Sequence, residues 1–70
     1  MSEYAVLYER GERNWSAYVP DLPGCTTCGD TQAEVRENIK EAVALYVESL
    51  RAHGEAVPPP SSEVDTVEAA

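Results

Sequence analysis

Two short stretches near the N-terminus consist mainly of apolar and aromatic residues. The first reads "YAVLYE" and the second "WSAYV", and both are rich in residues that favour β-strands. The polar segment between them carries one glycine, which suits a hairpin loop. We therefore predict antiparallel strands at about 3–9 and 14–19. With a period of two, the core-facing side chains are Tyr4, Val6, Tyr8, Trp15, Ala17 and Val19.

The opposite face of this hairpin carries Ala5, Leu7, Ser16 and Tyr18. It is less apolar than the core face, but it lacks the charges that a solvated sheet face usually shows. We therefore expect this face to be buried in a second contact, separate from the core, and Tyr18 is a candidate partner contact.

The connector "PDLPGCTTCGDT" follows the second strand. Pro20 cannot donate to a sheet, so the strand ends before it. Residues 21–24 have turn chemistry, which accounts for Asp21. A short third strand at about 25–28 can follow, before Gly29 stops it.

A helix is predicted at about 31–53. Thr31 and Glu34 have the spacing of a capping box, and Gly54 follows the last turn in a C-cap position. Apolar residues recur at steps of three and four along the segment and form one buried stripe. The stripe consists of Val35, Ile39, Ala42, Val43, Tyr46 and Leu50.

One side of this helix escapes the stripe and supplies further candidate partner contacts. It carries Asn38, Glu41, Leu45 and Glu48. Glutamates keep this side charged, while Leu45 is an apolar residue outside the buried stripe. An exposed leucine is ordinary on its own, so a solvated helix side is the alternative interpretation.

The C-terminal part begins with a proline-rich linker at 57–62, which cannot continue the helix. Residues 63–68 alternate weakly and favour a final edge strand, with a disordered acidic tail as the alternative. The fold class predicted from these elements is α+β in the order β-β-β-α-β. It is a single domain, a small antiparallel sheet with one helix packed on one face.

The net charge of the chain limits which classes of partner it can bind. Thirteen acidic residues against five basic ones give a formal net charge of -8. This sign disfavours direct nucleic-acid binding, which depends on Lys and Arg. The negative net charge favours encounter with a basic protein. The alternative is that the acidic surface only keeps the protein soluble. A chain of 70 residues also has a marginal core, so oligomerisation is expected.

No secretion signal or membrane-spanning run is visible in the sequence, so we expect a cytoplasmic protein. Thiols stay reduced in that compartment, and a Cys25–Cys28 disulfide is not expected. The predicted helix begins after both cysteines, which removes the geometry that activates a thioredoxin-type thiol. A zinc site would need two more ligands, and His53 stands alone at the far end of the helix.

The remaining chemistry-bearing residues do not form a catalytic constellation. Asp21, Asp30 and Asp65 fall in turns or the tail instead of mid-strand, where a two-metal nuclease anchors its carboxylates. His53 fits a position that complements the helix dipole. We therefore predict no enzyme activity, no cofactor and no metal, and these results point to a binding protein.

Four motifs together resemble the HicB-like antitoxin family along nearly the whole chain. They are "Y-x-V-x-Y", "W-S-A-Y-V-P-D-L-P-G-C", "G-D-T-x-x-E-V-x-E-N-I-K-E-A-V-x-L-Y-V-E" and "P-P-P-S-S". The proline-rich turn, the helix start and the helix sequence stand at the family's spacing. Cys25 matches the family, whereas Cys28 stands where the family has no fixed residue.

This resemblance implies a truncated RNase H-like fold that lacks the nuclease carboxylates. It also implies a partner, a small basic HicA-type toxin that cleaves mRNA, which the domain neutralises by steric occlusion. Many family members carry a C-terminal DNA-binding domain, which is not expected here because the chain ends shortly after the prolines. A homo-oligomer, dimer or tetramer, is expected. The alternatives are an orphan dimerisation module and a thiol or zinc protein that uses Cys25 and Cys28.

Overall fold

A computed structural model describes residues 3–69 of the chain. Its elements are β1 (Leu7–Arg10), β2 (Trp15–Tyr18), β3 (Thr26–Gly29) and α1 (Gln32–Ala52). The strands form one antiparallel sheet in the order β1-β2-β3. The predicted α+β class, with three strands followed by one helix, is confirmed.

The hairpin between β1 and β2 sets the register of the sheet. Gly11 N–H donates to the Asn14 carbonyl at 2.8 Å and closes the loop. Arg10 then pairs with Trp15, and Leu7 pairs with Tyr18. Because β2 ends at Tyr18, just before Pro20, it offers no partner to the residues that precede Leu7. This is why β1 begins at Leu7 and not at about residue 3 as predicted.

The core lies between the sheet and the helix. The predicted inward residues of the hairpin do line it, since Ala17 and Val19 are buried while the others are half-buried against them. From the predicted helix stripe, Val35 and Ile39 are buried. The buried hydrophobic residues are Ala17, Val19, Leu22, Cys25, Val35 and Ile39.

Gly29 fixes how closely the helix approaches the sheet. A Cβ atom at this position would lie 2.9 Å from the Val35 backbone nitrogen, a distance that real Cβ atoms do not tolerate. The adjacent helix start is capped as predicted, because the Thr31 hydroxyl accepts from Glu34 N–H at 3.1 Å. The helix consequently packs against β3 and β2, and β1 stays at the edge.

The helix also ends where the sequence predicts. His53 is the C-cap residue, and Gly54 follows in the left-handed region at φ 68°. Gly54 N–H donates to the Arg51 carbonyl at 3.1 Å, which satisfies one of the last free carbonyls of the helix.

The predicted edge strand at 63–68 is wrong, because residues 63–69 form no strand in the described structure. Val64 and Val67 are 54% and 97% exposed. They stand three positions apart, so a strand would place one valine on each face and neither face would become apolar. Among the described residues, no helix is long and apolar enough to cross a membrane.

Candidate partner-binding surface

The connector between β2 and β3 is tied to the rest of the fold at several points. Leu22 is fully buried, and Cys25 N–H donates to its carbonyl at 2.9 Å. The Tyr46 hydroxyl, on the helix, donates to the Pro23 carbonyl at 2.8 Å. Gly24 supplies a positive φ of 83° within this turn. The connector therefore locks the helix, the sheet and the chain reversal into one unit.

Asp21 has a role that the sequence prediction missed. Its carboxylate accepts four hydrogen bonds, two from backbone N–H groups and two from the hydroxyls of Ser61 and Ser62, at 2.7 to 3.0 Å. These donors, with the Ser62 N–H foremost, hold the pKa of Asp21 well below its usual range. We call this arrangement the Asp21 clamp. The adjacent serines after the prolines were the only sequence signal for it.

Neither cysteine lies in a reactive setting. Cys25 is buried, and desolvation raises the pKa of its thiol, opposite to the shift that a nucleophilic thiolate needs. Cys28 is an exposed free thiol on β3. His53 Nδ1 lies 2.7 Å from the Ser49 carbonyl, which occupies one ring nitrogen at the helix end. Within residues 3–69, no group of three or more His, Cys, Asp or Glu side chains could hold a metal ion.

Acidic side chains follow one line along the outer side of α1. Its members recur at steps of three and four, so they face away from the buried stripe and are exposed. Lys40 pairs with Glu37 at 3.1 Å and partly offsets the charge at one point of the line. Leu45, which is 60% exposed, interrupts the glutamates. We call this surface the acidic helix face, which consists of Glu34, Glu37, Glu41, Leu45 and Glu48.

The structure thus brings together three of the predicted contact residues, namely Glu41, Leu45 and Glu48. Asn38 is different, because its side-chain amide donates to the Cys28 carbonyl at 3.0 Å and joins the helix to β3. Tyr18 lies apart from both Asn38 and the acidic helix face. It pairs with Leu7, and both lie on the sheet face opposite the helix. The five predicted residues therefore do not form one continuous site.

The other side of α1 borders an open groove beside β1. Two cavities of about 710 and 380 Å³ share Tyr4 and Val43. The apolar floor comes from β1, from the residues that precede it and from the helix. Arg36 lies over the Tyr8 ring, 5.9 Å from its centroid. Three cations line these cavities, so we call the surface the basic groove, with Arg36, Lys40 and Arg51 as its charged members.

A sequence profile described as the HicB_like antitoxin of the bacterial toxin-antitoxin system matches residues 4–70. The chain belongs to this HicB-like antitoxin family. The strand, turn and helix motifs that indicated the resemblance lie within the same residues.

Relatives of similar size support this membership. A UPF0150 protein of Thermoplasma acidophilum is 43% identical over 68 residues, which is 96% of this chain and 99% of the relative. Another UPF0150 protein, from Synechocystis, is 45% identical over 56 residues, covering 79% of this chain and 71% of the relative.

The HicB-like fold also matches a solved structure. One chain of a structure titled "HicA3 and HicB3 toxin-antitoxin complex" superimposes with a TM-score of 0.72 at 32% sequence identity. The match covers 84% of this chain and 70% of that chain. The sheet and helix described above are therefore those of a HicB-like domain.

Proposed function

We propose that this chain is an antitoxin that binds a HicA-type toxin and neutralises it by steric occlusion. The observation that carries the proposal is the match to a chain of the HicA3 and HicB3 complex, at 32% identity over most of the fold. The antitoxin acts by binding, without catalysis, and needs no cofactor. It works in the cytoplasm, where an mRNA-cleaving toxin finds its substrate.

The acidic helix face is the surface that we assign to the toxin. It presents four exposed glutamates in one line on a rigid helix of 21 residues. Glu37 and Glu41 repel each other at i, i+4, which costs the isolated helix a few tenths of a kcal/mol. A basic surface on the partner relieves this repulsion and adds opposite charges that steer the encounter.

Leu45 gives the acidic helix face an apolar centre. It is 60% exposed in the free protein and lies between Glu41 and Glu48 along the helix. Interfaces combine an apolar centre with a polar rim, and the centre carries most of the binding free energy. In the complex, Leu45 fills a shallow apolar depression while the glutamates pair with Lys and Arg around it.

The decisive experiment measures the affinity of this chain for a HicA-type toxin, taken from the neighbouring gene where that gene encodes one. A triple variant, Glu34→Lys with Glu41→Lys and Glu48→Lys, is expected to weaken binding at least about tenfold and to release RNA cleavage, since each reversal places like charges together. The matched control is Glu3→Lys with Glu9→Lys and Glu12→Lys, which changes net charge equally outside the helix. Wild-type binding should weaken as salt rises.

Equal loss in the two triple variants would show that net charge matters and the acidic helix face does not. Leu45→Asp tests the apolar centre without adding positive charge. It should also weaken binding by about tenfold or more, while an unchanged affinity would remove Leu45 from the interface. Failure of the wild-type protein to bind or inhibit the toxin would overturn the proposed function itself.

A further inference from the structure

The basic groove exists because the helix sits off-centre on the sheet. Helix α1 packs against β3 and β2, so the inward side chains of β1 and of the residues before it are only half-buried. Tyr4, Val6 and Tyr8 form one wall, and Val43 stands opposite them on the helix. Within the described chain, the outer edge of β1 has no strand beside it. Its backbone N–H and C=O groups can therefore accept another strand.

The charge of this groove is opposite to that of the whole protein. Arg36, Lys40 and Arg51 are three of the five basic residues in the chain. Glu48 is the one carboxylate among the residues that line the two cavities, out of thirteen in the sequence. The groove therefore suits an extended segment with both apolar and acidic side chains.

The chain itself carries such a segment. The Asp21 clamp fixes Ser61 and Ser62, and the residues beyond it, 63–69, extend from the fold with every side chain exposed. We call residues 63–69 the arm. It combines two exposed valines, Val64 and Val67, with three carboxylates, Glu63, Asp65 and Glu68.

The arm does not lie against its own protomer. Val67 is 97% exposed. The radius of gyration of 13.4 Å exceeds the value of about 11 Å that is typical of a compact chain of this length. An arm that extends away from the protomer on which its groove lies is positioned to meet the groove of a neighbour.

We propose that the arm docks as an extended strand along β1 in the basic groove of a second copy of this chain. The exchange is reciprocal, so a two-fold dimer buries two arms in two grooves. In an extended strand Glu63, Asp65 and Val67 share one face. With that face towards the groove, the two carboxylates pair with Arg36, Lys40 and Arg51, and Val67 covers the apolar wall. This dimer goes beyond the proposed toxin binding and does not depend on it.

The first test uses analytical ultracentrifugation to measure the molecular mass of the 70-residue chain at increasing protein concentrations. A dimer is expected for the wild type, weakened at least about tenfold in Val64→Asp with Val67→Asp, since a charge then replaces the Val67 side chain that the groove buries. Both valines are exposed in the monomer, so the fold should persist, which circular dichroism checks. A wild-type protein that stays monomeric at all concentrations, or a dimer indifferent to these changes, would overturn the proposal.

The second test exchanges the charges between arm and groove. One variant carries Lys40→Glu with Arg51→Glu, and the other carries Glu63→Lys with Asp65→Lys. Each alone should dimerise at least about tenfold more weakly. Mixed together, they should form a heterodimer of near wild-type affinity, because each arm then meets a groove of opposite charge.

Arg13→Glu is the control for a charge change outside the groove, since it lies in the exposed hairpin loop. It should leave the dimer within about twofold of the wild type. Absence of heterodimer in the mixture would overturn the pairing of arm and groove. An equal loss of dimer in Arg13→Glu would do the same, because net charge would then explain the effect.

Discussion

The two sides of helix α1 differ in charge and in what they can bind. The acidic helix face is open, convex and lined by glutamates, whereas the basic groove is concave, apolar at its floor and bordered by cations. A net charge of -8 conceals this separation. The proposed toxin contact and the proposed dimer contact therefore use different sides of one helix.

The largest effect is expected from Gly29→Val, which disturbs both sides at once. The new side chain meets the Val35 backbone nitrogen, and a Cβ alone would already lie 2.9 Å from it. We expect the free energy of unfolding to fall by about 2–3 kcal/mol, as in an overpacked core, measured by urea denaturation. Cys28→Val is the matched control, because Cys28 is the exposed residue of β3 that precedes Gly29, and the change adds bulk there. Equal loss in both variants would contradict the role of Gly29.

Two double variants, each measured in both a toxin-binding assay and a dimerisation assay, test whether the two sides of the helix act independently. Glu34→Lys with Glu41→Lys should weaken toxin binding at least about tenfold and leave dimerisation within about twofold, since neither residue lines the basic groove. Lys40→Glu with Arg51→Glu should show the reverse pattern. The measurements are toxin titration and sedimentation of the same preparations. If each variant affected both activities equally, the two sides of the helix would not be functionally distinct.

A smaller and pH-dependent effect is expected at the Asp21 clamp. Because the folded pKa is lowered, the ionised carboxylate stabilises the fold fully above the unfolded value of about 3.9. This stabilisation declines as the pH falls below that value towards the folded pKa. Asp21→Asn should therefore be less stable than the wild type at neutral pH, and the gap should narrow below about pH 4.

Urea denaturation at pH 7 and pH 3 measures that gap. Asp30→Asn, an exposed aspartate of the same connector, is the control and should show little difference at either pH. A gap for Asp21→Asn that stays constant between the two pH values would contradict the clamp as the source of its stability.

The two cysteines should differ from each other, and the smallest effect of all is expected at Cys28. Cys28→Ser should change stability by less than about 0.5 kcal/mol because the side chain is exposed. Cys25→Ser places a hydroxyl in the core and should cost about 1–3 kcal/mol. Urea denaturation with a thiol titration distinguishes them, since Cys28 should react first. Stoichiometric zinc, or unfolding of the Cys28→Ser protein, would favour the thiol or zinc alternative.

Local patterns predicted the elements of this fold well. The alternation around Tyr8 and Ala17, the Thr31 cap and the Gly54 C-cap all depend on residues that are near neighbours in sequence, so the sequence reveals them. The Asp21 clamp joins residues 40 and 41 positions apart, and nothing local to Asp21 distinguishes it from an ordinary turn aspartate.

The candidate surfaces were predicted less completely, for a geometric reason. The spacing of Glu41, Leu45 and Glu48 placed them on one side of a helix, and Glu34 and Glu37 could have been added by the same rule. The basic groove could not be predicted, because it depends on the lateral position of the helix over the sheet. The contact of Gly29 with the helix start sets that position. The arm was mistaken for a strand because weak alternation does not show which faces are buried.

The Asp21 clamp also determines the length of a tether. Without it, the chain would be free beyond Pro58, whose carbonyl accepts from the Tyr4 hydroxyl, and residues 59–69 could extend about 40 Å. With Ser61 and Ser62 fixed, the reach of residues 63–69 falls to about 25 Å. A shorter tether samples a smaller volume and raises the effective concentration of its end near the fold. A single carboxylate in a turn thereby decides how near a neighbouring molecule must stand before residues 63–69 can touch it.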